Sequence, residues 1–209
     1  MAIATVGDIV DLIDENRVVV KYGLKHIAHT VNTGLKALVE ECGVDINNIS
    51  SYHIGFVIGP CLNASGRLDT ARKAIELMLC KNTEEAHNMA RELITLNTER
   101  KQMTEDETAK AIELVEKNDM LKDRVLVIYL PDCHESIAGI IAGRIKERYY
   151  RPTFVITNAE EGAKGSGRSI EGYNMYEEIN KCKNVLTKYG GHPMAAGLSL
   201  ETADIDVFR

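Results

Sequence analysis

Four glycine-bearing clusters hold most of the side chains that could do chemistry. They combine a guanidinium or an imidazole with hydroxyl groups, backbone N–H groups and small residues, a mixture suited to recognising anionic oxygens such as those of phosphate. The candidate residues are Asn63 and Arg67 in PCLNASGRLDTA (60–71), His134 in DCHESIAGIIAGRI (132–145), Ser166 and Arg168 in KGSGRS (164–169), and His192 in GGHPMAAG (190–197).

The first cluster is expected to be a loop directly ahead of a helix that begins near Thr70. Its small residues would let the backbone approach a ligand, and the helix start would favour an anion. Arg67 could then hold a phosphate with two hydrogen bonds. The alternative is a tight turn in which Asn63 and Asp69 satisfy backbone groups, and this cluster by itself does not decide between the two.

The second and third clusters follow segments typical of strands. His134 lies at the turn that follows the apolar run 125–130, and ligands of open α/β sheets collect at the carboxyl ends of strands. It could therefore donate to a phosphate or a base, or else make a purely structural hydrogen bond. KGSGRS offers hydroxyl groups and Arg168 but lacks the Gly-Lys-Ser/Thr ending of a Walker loop; its alternative is a flexible hairpin.

The fourth cluster surrounds His192 with Gly190, Gly191 and Pro193. Such rigidity exceeds the need of a surface loop, and no carboxylate or second histidine is near in sequence, so substrate contact is favoured over metal binding. His26 and His29 could share a helix face, but a third ligand is not evident nearby, which favours structural roles.

Three regions position these clusters. Residues 1–80 contain helical apolar spacing at 17–29, 33–42 and 70–80. Residues 83–118 lack proline and glycine, with apolar residues at both ends and a polar middle at 97–110, which predicts a long helix capped by Thr83 that connects two domains. The alternative is an ordinary surface helix broken near Met103.

Residues 121–209 have an α/β pattern. Strands are expected at 125–130, 152–157 and 195–200, with helices at 136–149 and 176–186. A strand, a helix and a strand at this spacing imply a right-handed crossover and a partly parallel sheet. The predicted architecture is α/β: the C-terminal part of a first lobe (1–82), a connecting helix (83–120) and a second lobe with a mixed sheet (121–209).

Composition narrows the class of protein. A net charge of -6 argues against a protein that coats nucleic acid without specificity, although five cations lie between residues 164 and 188. The five cysteines form no Cys-x-x-Cys pair, which favours reduced thiols. No apolar run approaches the roughly 20 residues of a membrane helix and no signal peptide is evident, so a cytoplasmic protein without a membrane partner is expected.

Taken together, these clusters resemble the RecJ family of the Asp-His-His phosphoesterase superfamily. The resemblance spans Thr5 to about Leu200 and is carried by six segments in this order: TVGDIVDLIDENR (5–17), PCLNASGRLDTA, LNTERK (96–101), CHESIAGIIAGRI, KGSGRS and GGHPMAAG. It implies two α/β lobes joined by a long helix, with single-stranded DNA in the cleft. It also implies 5′-to-3′ phosphodiester hydrolysis with two divalent ions, Mn²⁺ or Mg²⁺.

The resemblance assigns roles to individual residues. Asp8 matches the last metal-binding aspartate of the family, while Arg67, His134, Ser166, Arg168 and His192 match positions that line the substrate. Cys61 stands where the family commonly has arginine, and Cys133 stands where it usually has tryptophan. Both departures remove a contact that could strengthen DNA binding.

The family's Asp-x-Asp and Asp-His-His motifs, which supply most metal ligands, are not in this sequence. The chain is therefore expected to be a piece of a longer exonuclease that acts in DNA repair and recombination, to bind substrate without hydrolysing it, and to need the N-terminal half of the same polypeptide. Other repair proteins are possible partners. The alternatives are a small-nucleotide phosphatase of the same superfamily and a non-catalytic module for single-stranded nucleic acid.

Overall fold

The computed structural model describes all 209 residues, which divide into two compact units, Met1–Lys101 and Gln102–Arg209. The regular elements of the first unit are helical. They are α1 (Ala2–Gly7), α2 (Asp14–Ile27), α3 (Thr33–Glu41), α4 (Ser51–His53), α5 (Gly59–Leu68), α6 (Arg72–Leu79) and the first part of α7 (Thr83–Lys117). The helices expected at 17–29, 33–42 and 70–80 are confirmed with small shifts at their ends.

Apolar side chains at helical spacing build the core of the first unit. The largest buried ones are Leu38 on α3, Ile54 and Ile58 ahead of α5, Leu77 on α6 and Leu93 on α7. Helix α3 starts with a side-chain cap, because Asn32 Oδ1 accepts a hydrogen bond of 2.7 Å from the backbone N–H of Leu35. The helical spacing of the apolar residues, rather than this cap, determines which face of each helix enters the core.

The expectation of a loop at 60–71 is wrong. Helix α4, a π-helical turn (Ile54–Ile58) and α5 follow one another directly, so Asn63, Ser65, Gly66 and Arg67 are helical. Pro60 has no N–H to donate, but it occupies the first turn of α5, immediately after the wide π turn, where it is tolerated. Buried residues at 54, 58, 61 and 65 hold one face of this helix in the core and override the low helix propensity of the segment.

Helix α7 is continuous from Thr83 to Lys117, so the alternative of a break near Met103 is wrong. The cap is Asn82 rather than Thr83, because Asn82 Oδ1 accepts a hydrogen bond of 3.0 Å from the backbone N–H of Glu85. Ala86, Ala90 and Leu93 pack in the core of the first unit, whereas Ala111 and Val115 pack in the core of the second. Two polar residues of its middle, Asn97 and Thr104, are also buried.

The second unit contains the rest of α7 and a five-stranded mixed sheet. Its elements are β1 (Leu126–Tyr129), α8 (Glu135–Tyr149), β2 (Thr153–Asn158), β3 (Ala163–Arg168), α9 (Met175–Lys181), β4 (Lys188–His192), β5 (Ala195–Leu200) and α10 (Ile205–Phe208). The strand order is β1-β2-β3-β5-β4, with β1 and β2 parallel and all other neighbours antiparallel. The mixed sheet expected from the sequence is therefore confirmed.

Helices cover both faces of this sheet. On one face, Ile137, Ile141 and Ile145 of α8 pack with residues of α7, β1 and β2. On the other face, Met175 of α9 and Ile205 of α10 pack with alternate residues of β2, β3 and β5. The structure contains no helix that is long and apolar enough to cross a membrane.

Candidate functional site

Strand β3 presents its polar residues on one face of the sheet. Its burial alternates, with Ala163, Gly165 and Gly167 buried and the intervening residues accessible. Because successive side chains of a strand point to opposite faces, Lys164, Ser166 and Arg168 share the face that α8 partly covers. We call the accessible part of this face, formed by β3, β4 and β5, the polar face.

The strand register brings three of the predicted residues onto the polar face. Arg168 of β3 is opposite Ala195 of β5, which is in turn opposite His192 of β4. Neighbouring strands are about 4.8 Å apart, so Arg168 and His192 are separated by roughly 10 Å across the sheet. Two residues further along each strand, on the same face, Ser166 of β3 pairs with Gly197 of β5, which pairs with Gly190 of β4. These two glycines leave a floor of bare backbone between Ser166 and the edge of the sheet.

A second polar row crosses the same face. Thr157 of β2, Lys164 of β3, Ser199 of β5 and Lys188 of β4 are successive partners in the ladder. Lys164 Nζ is 2.7 Å from a carboxylate oxygen of Glu135 in the first turn of α8, and this hydrogen bond raises the pKa of Lys164. The row adds the ammonium group of Lys188 and the ion pair of Lys164 with Glu135 to the guanidinium of Arg168.

The guanidinium of Arg168 lies against helix α8 at a glycine. A Cβ atom placed on Gly139 would be 2.8 Å from Arg168 Nη2, a separation that real Cβ atoms do not show. On the sheet side, Arg168 Nη1 donates a hydrogen bond of 2.8 Å to the carbonyl oxygen of Gly167. The guanidinium therefore lies between the backbone of β3 and the space left by the missing side chain of Gly139.

Backbone contacts hold the hairpin that carries His192. Pro193 and Met194 form its tip between β4 and β5. The N–H of Ser169 donates to the carbonyl oxygen of Met194 (2.9 Å), and the N–H of Met175 donates to that of Pro193 (3.0 Å). Gly191 is needed for the close pairing, since a Cβ there would be 2.4 Å from the carbonyl oxygen of Ala195. His192 itself is exposed at the end of β4.

His134 caps the N-terminus of α8. Its Nδ1 accepts from the backbone N–H of Ser136 at 3.3 Å and lies 2.7 Å from the Ser136 hydroxyl oxygen. A ring nitrogen that accepts a backbone N–H carries no proton, so in the neutral imidazole the proton is on Nε2. The structural and the functional hypotheses therefore concern different atoms, because Nδ1 caps the helix and Nε2–H is a donor.

A pocket of about 390 Å³ opens beside the polar face. Its walls include Ser136 of α8, Lys164 and Ser166 of β3, and Ser199 of β5. Thr157 also lines it, is fully buried, and its hydroxyl oxygen has no hydrogen-bond partner within the protein. A buried hydroxyl without a partner is unfavourable, so this oxygen marks a place where a ligand group or a water would be stabilised.

The remaining predicted residues belong to the first unit. Asn63 and Arg67 are one helical turn apart on α5 and line a shallow surface pocket with Gly66. Arg67 is in the last turn of α5, where a cation stabilises the helix, so the expected attraction of an anion by a helix start does not apply. Asp8 is exposed directly after α1. No three histidine, cysteine or acidic side chains in the chain gather as metal ligands.

Sequence patterns alone did not identify three contributors to the polar face. Thr157 looks like any β-branched residue of a buried strand, and Gly139 looks like a packing residue of α8. Lys164 was visible only as one of several nearby cations. Each becomes apparent from the ladder register or from the path of the Arg168 side chain, neither of which a local pattern contains.

Comparison with known proteins gives the same assignment along the whole chain. Residues 122–209 match the DHHA1 domain. The chain is 39% identical over 210 residues to the single-stranded-DNA-specific exonuclease RecJ of Bacillus subtilis and 38% identical over 218 residues to that of Escherichia coli. All of the chain is matched in both cases, but it spans only 27% and 38% of these relatives.

Solved structures of relatives have the same fold. RecJ of Thermus thermophilus, crystallised in complex with Mg²⁺, matches 99% of this chain at a TM-score of 0.87 and 31% identity, and the match covers 32% of that protein. The same protein in complex with Mn²⁺ matches at a TM-score of 0.89 and 32% identity. Identity above 30% over the full chain, the DHHA1 match and the shared fold together show that this chain is similar along its whole length to one part of the RecJ exonucleases.

Proposed function

We propose that the chain is part of a single-strand-specific DNA exonuclease and that the polar face of its second unit binds the sugar–phosphate backbone of the strand. The observation that carries the proposal is the common placement of Ser166, Arg168 and His192 on one face of the sheet, around the bare floor of Gly190 and Gly197. The names of the relatives, which are single-stranded-DNA-specific exonucleases, support the substrate class.

The groups on this face suit phosphate better than bases. A guanidinium can hold two phosphate oxygens at once, a serine hydroxyl can donate a third hydrogen bond, and a glycine floor admits a close approach of the strand. Contacts of this kind fix the position of a strand without reading its sequence. We therefore expect binding that depends on single-strandedness and salt rather than on base composition.

Hydrolysis with divalent ions would require more metal ligands than this chain brings together. The related crystal structures contain Mg²⁺ or Mn²⁺, and such ions bind water and phosphate oxygens at sites rich in carboxylates. Asp8 is a single exposed carboxylate, and no cluster of possible ligands surrounds it, so the residues present do not fit a metal centre by themselves. We propose that the longer protein supplies the other ligands, that Asp8 completes the set, and that this chain alone is inactive.

The wider context follows from the same proposal. Degradation would proceed in the 5′-to-3′ direction and serve DNA repair and recombination in the cytoplasm, with other repair proteins as partners. The N-terminal half of the same polypeptide would then be the partner that this chain needs for activity.

Fluorescence anisotropy of a labelled 5′-phosphorylated single strand tests the binding face. We expect Arg168→Ala to weaken binding and to reduce the slope of log K against log salt by about 0.7, the contribution of one phosphate contact on a single strand. Arg124→Ala is the matched control, because it removes the same charge from an exposed position ahead of β1. Equal effects of the two variants would show that only net charge matters and would contradict the proposed site.

Two further measurements separate the alternatives. A dinucleotide that competes as well as the long strand would favour a small-nucleotide phosphatase over an exonuclease. Incubation of the chain with Mn²⁺ and a labelled strand should give no products. Reproducible manganese-dependent hydrolysis that survives Asp8→Ala would show that both the predicted inactivity and the role of Asp8 are wrong.

A further inference from the structure

Two thiols meet in the core of the first unit, away from the polar face. Cys42 follows the last turn of α3, and Cys61 is in the first turn of α5. Their sulfur atoms are 4.0 Å apart. Cys61 is 3% exposed and Cys42 is half-buried, so the pair lies just beneath the surface with Cys42 on its outer side.

A chain of hydrogen bonds from α7 ends on the Cys61 sulfur. Asn97 Nδ2 donates to Cys61 Sγ at 3.4 Å. The orientation of this amide is determined by Arg100, whose Nε and Nη2 donate to Asn97 Oδ1 at 3.2 and 3.0 Å. Since the guanidinium takes the amide oxygen, the amide nitrogen must face the sulfur. Asn97 and Arg100 belong to the LNTERK segment, and this contact gives that segment a chemical role besides its helical one.

The surroundings favour a thiolate on one sulfur only. The hydrogen bond from Cys42, the amide of Asn97 and the positive charges of Lys101 and Arg100 lower the pKa of Cys61 to about 7. The same contact between the two sulfurs, together with burial, raises the pKa of Cys42. Of the two sulfurs, Cys61 is therefore the one whose surroundings favour the nucleophilic thiolate, and Cys42 is the one whose surroundings favour the protonated thiol.

We propose that Cys42 and Cys61 are a peroxide-reactive pair that closes to a reversible disulfide. The Cys61 thiolate attacks one oxygen of hydrogen peroxide, the O–O bond breaks, and the hydroxide released takes up a proton to become water. The sulfenic acid left on Cys61 is then attacked by the Cys42 sulfur, which forms the S–S bond and releases a second water. Two thiols are thus oxidised while one peroxide is reduced to two waters.

The geometry allows the second step without rearrangement of the fold. The sulfurs must approach from 4.0 Å to a bond length of about 2.05 Å, a distance that side-chain rotation can supply. The cross-link would tie the end of α3 to α5, the helix that carries Asn63 and Arg67, and would remove the thiolate that Asn97 contacts. A pair in which both thiols keep their protons would instead resist oxidation, because the thiolate is the nucleophile.

The test treats the whole chain with hydrogen peroxide, blocks the remaining thiols with iodoacetamide and maps the non-reduced peptides by mass spectrometry. We expect a peptide pair joined through Cys42 and Cys61 that disappears on reduction. Cys42→Ser should abolish it, and Cys80→Ser, a matched control on another free cysteine of the same unit, should not. Cysteines 42 and 61 that stay reduced, or that couple to other cysteines at the same rate, would overturn the proposal.

A second experiment does not depend on the disulfide itself. In Cys42→Ser the sulfenic acid on Cys61 has no partner, so a dimedone adduct should accumulate at Cys61 on peroxide treatment. Asn97→Leu removes the amide donor at similar size. A rise of one unit in the pKa of Cys61, from about 7, would lower its thiolate fraction at pH 7 about fivefold, and alkylation should slow accordingly. No adduct at Cys61 in the first variant, or an unchanged alkylation rate in the second, counts against the proposed thiolate.

Discussion

At the scale of single residues, His134 combines a structural and a proposed binding role on two atoms of one ring. Nδ1 caps α8 through the N–H of Ser136, and Nε2–H is the donor available to a phosphate or a base. Asparagine is also a good N-cap but places no donor where Nε2 is. A pair of substitutions can therefore separate the two roles.

We expect His134→Asn to leave the stability of the chain nearly unchanged and to weaken single-strand binding by roughly fivefold, the value of one hydrogen bond of about 1 kcal/mol. His134→Ala should weaken binding similarly and also lower the free energy of unfolding by about 1 kcal/mol, because the cap is lost. Urea unfolding and anisotropy measure the two effects. Full binding by the asparagine variant would assign His134 to the cap alone.

At the scale of elements, α8 and β3 position the Arg168 guanidinium jointly. On the helix, Gly139 has no side chain and so leaves room for the guanidinium. On the strand, the carbonyl oxygen of Gly167 accepts a hydrogen bond from it. Gly143, one turn later on the same helix, has no atom within 4 Å of where its Cβ would be. The two glycines differ only in what faces them, so they make a matched pair.

We expect Gly139→Ala to displace the guanidinium and to weaken single-strand binding to nearly the level of Arg168→Ala. Stability should change little, since Arg168 is a long side chain that can move and alanine favours the helix by about 1 kcal/mol. Gly143→Ala should gain that stability and bind as before. Anisotropy and urea unfolding of both variants provide the measurement. Equal binding by the two variants would mean that Gly139 does not position Arg168 for binding.

At the scale of the whole molecule, two separate cores are linked along the chain by α7. Leu38 is fully buried in the core of the first unit, and Ile141 is fully buried in that of the second. Neither residue belongs to the other's cluster. A cavity in one core should therefore loosen that unit first.

We expect Leu38→Ala, at a cost of about 3 kcal/mol, to speed amide hydrogen exchange in α3 and α5 while the strands of the second unit keep their protection. Ile141→Ala should have the opposite distribution. Amide exchange measured by mass spectrometry distinguishes the two variants. Peptides of α7 are left out of the comparison because this helix contributes to both cores. Uniform acceleration in either variant would mean that the chain unfolds as one cooperative unit.

The sequence by itself determined the long helix, the mixed α/β second unit and the resemblance to the RecJ family. Apolar periodicity predicted α3, α7 and α8, because a helix must place its apolar side chains on one face whatever it packs against. The family assignment rested on six short segments in fixed order, which are local features. Candidate site residues such as Arg168 could be named for the same reason, since a guanidinium among glycines and hydroxyls is visible in a few letters.

Only the tertiary structure decided which residues meet. Glycine-rich β3 and β4 have weak strand propensity and exist because the sheet pairs them, and their register alone puts Arg168 and His192 on one face. Because one face of α5 is buried, this segment is helical in spite of Pro60, whereas the local sequence predicted a loop. The contact between Cys42 and Cys61 joins two helices that are distant along the chain. Such contacts depend on packing between elements, and no local pattern encodes that packing.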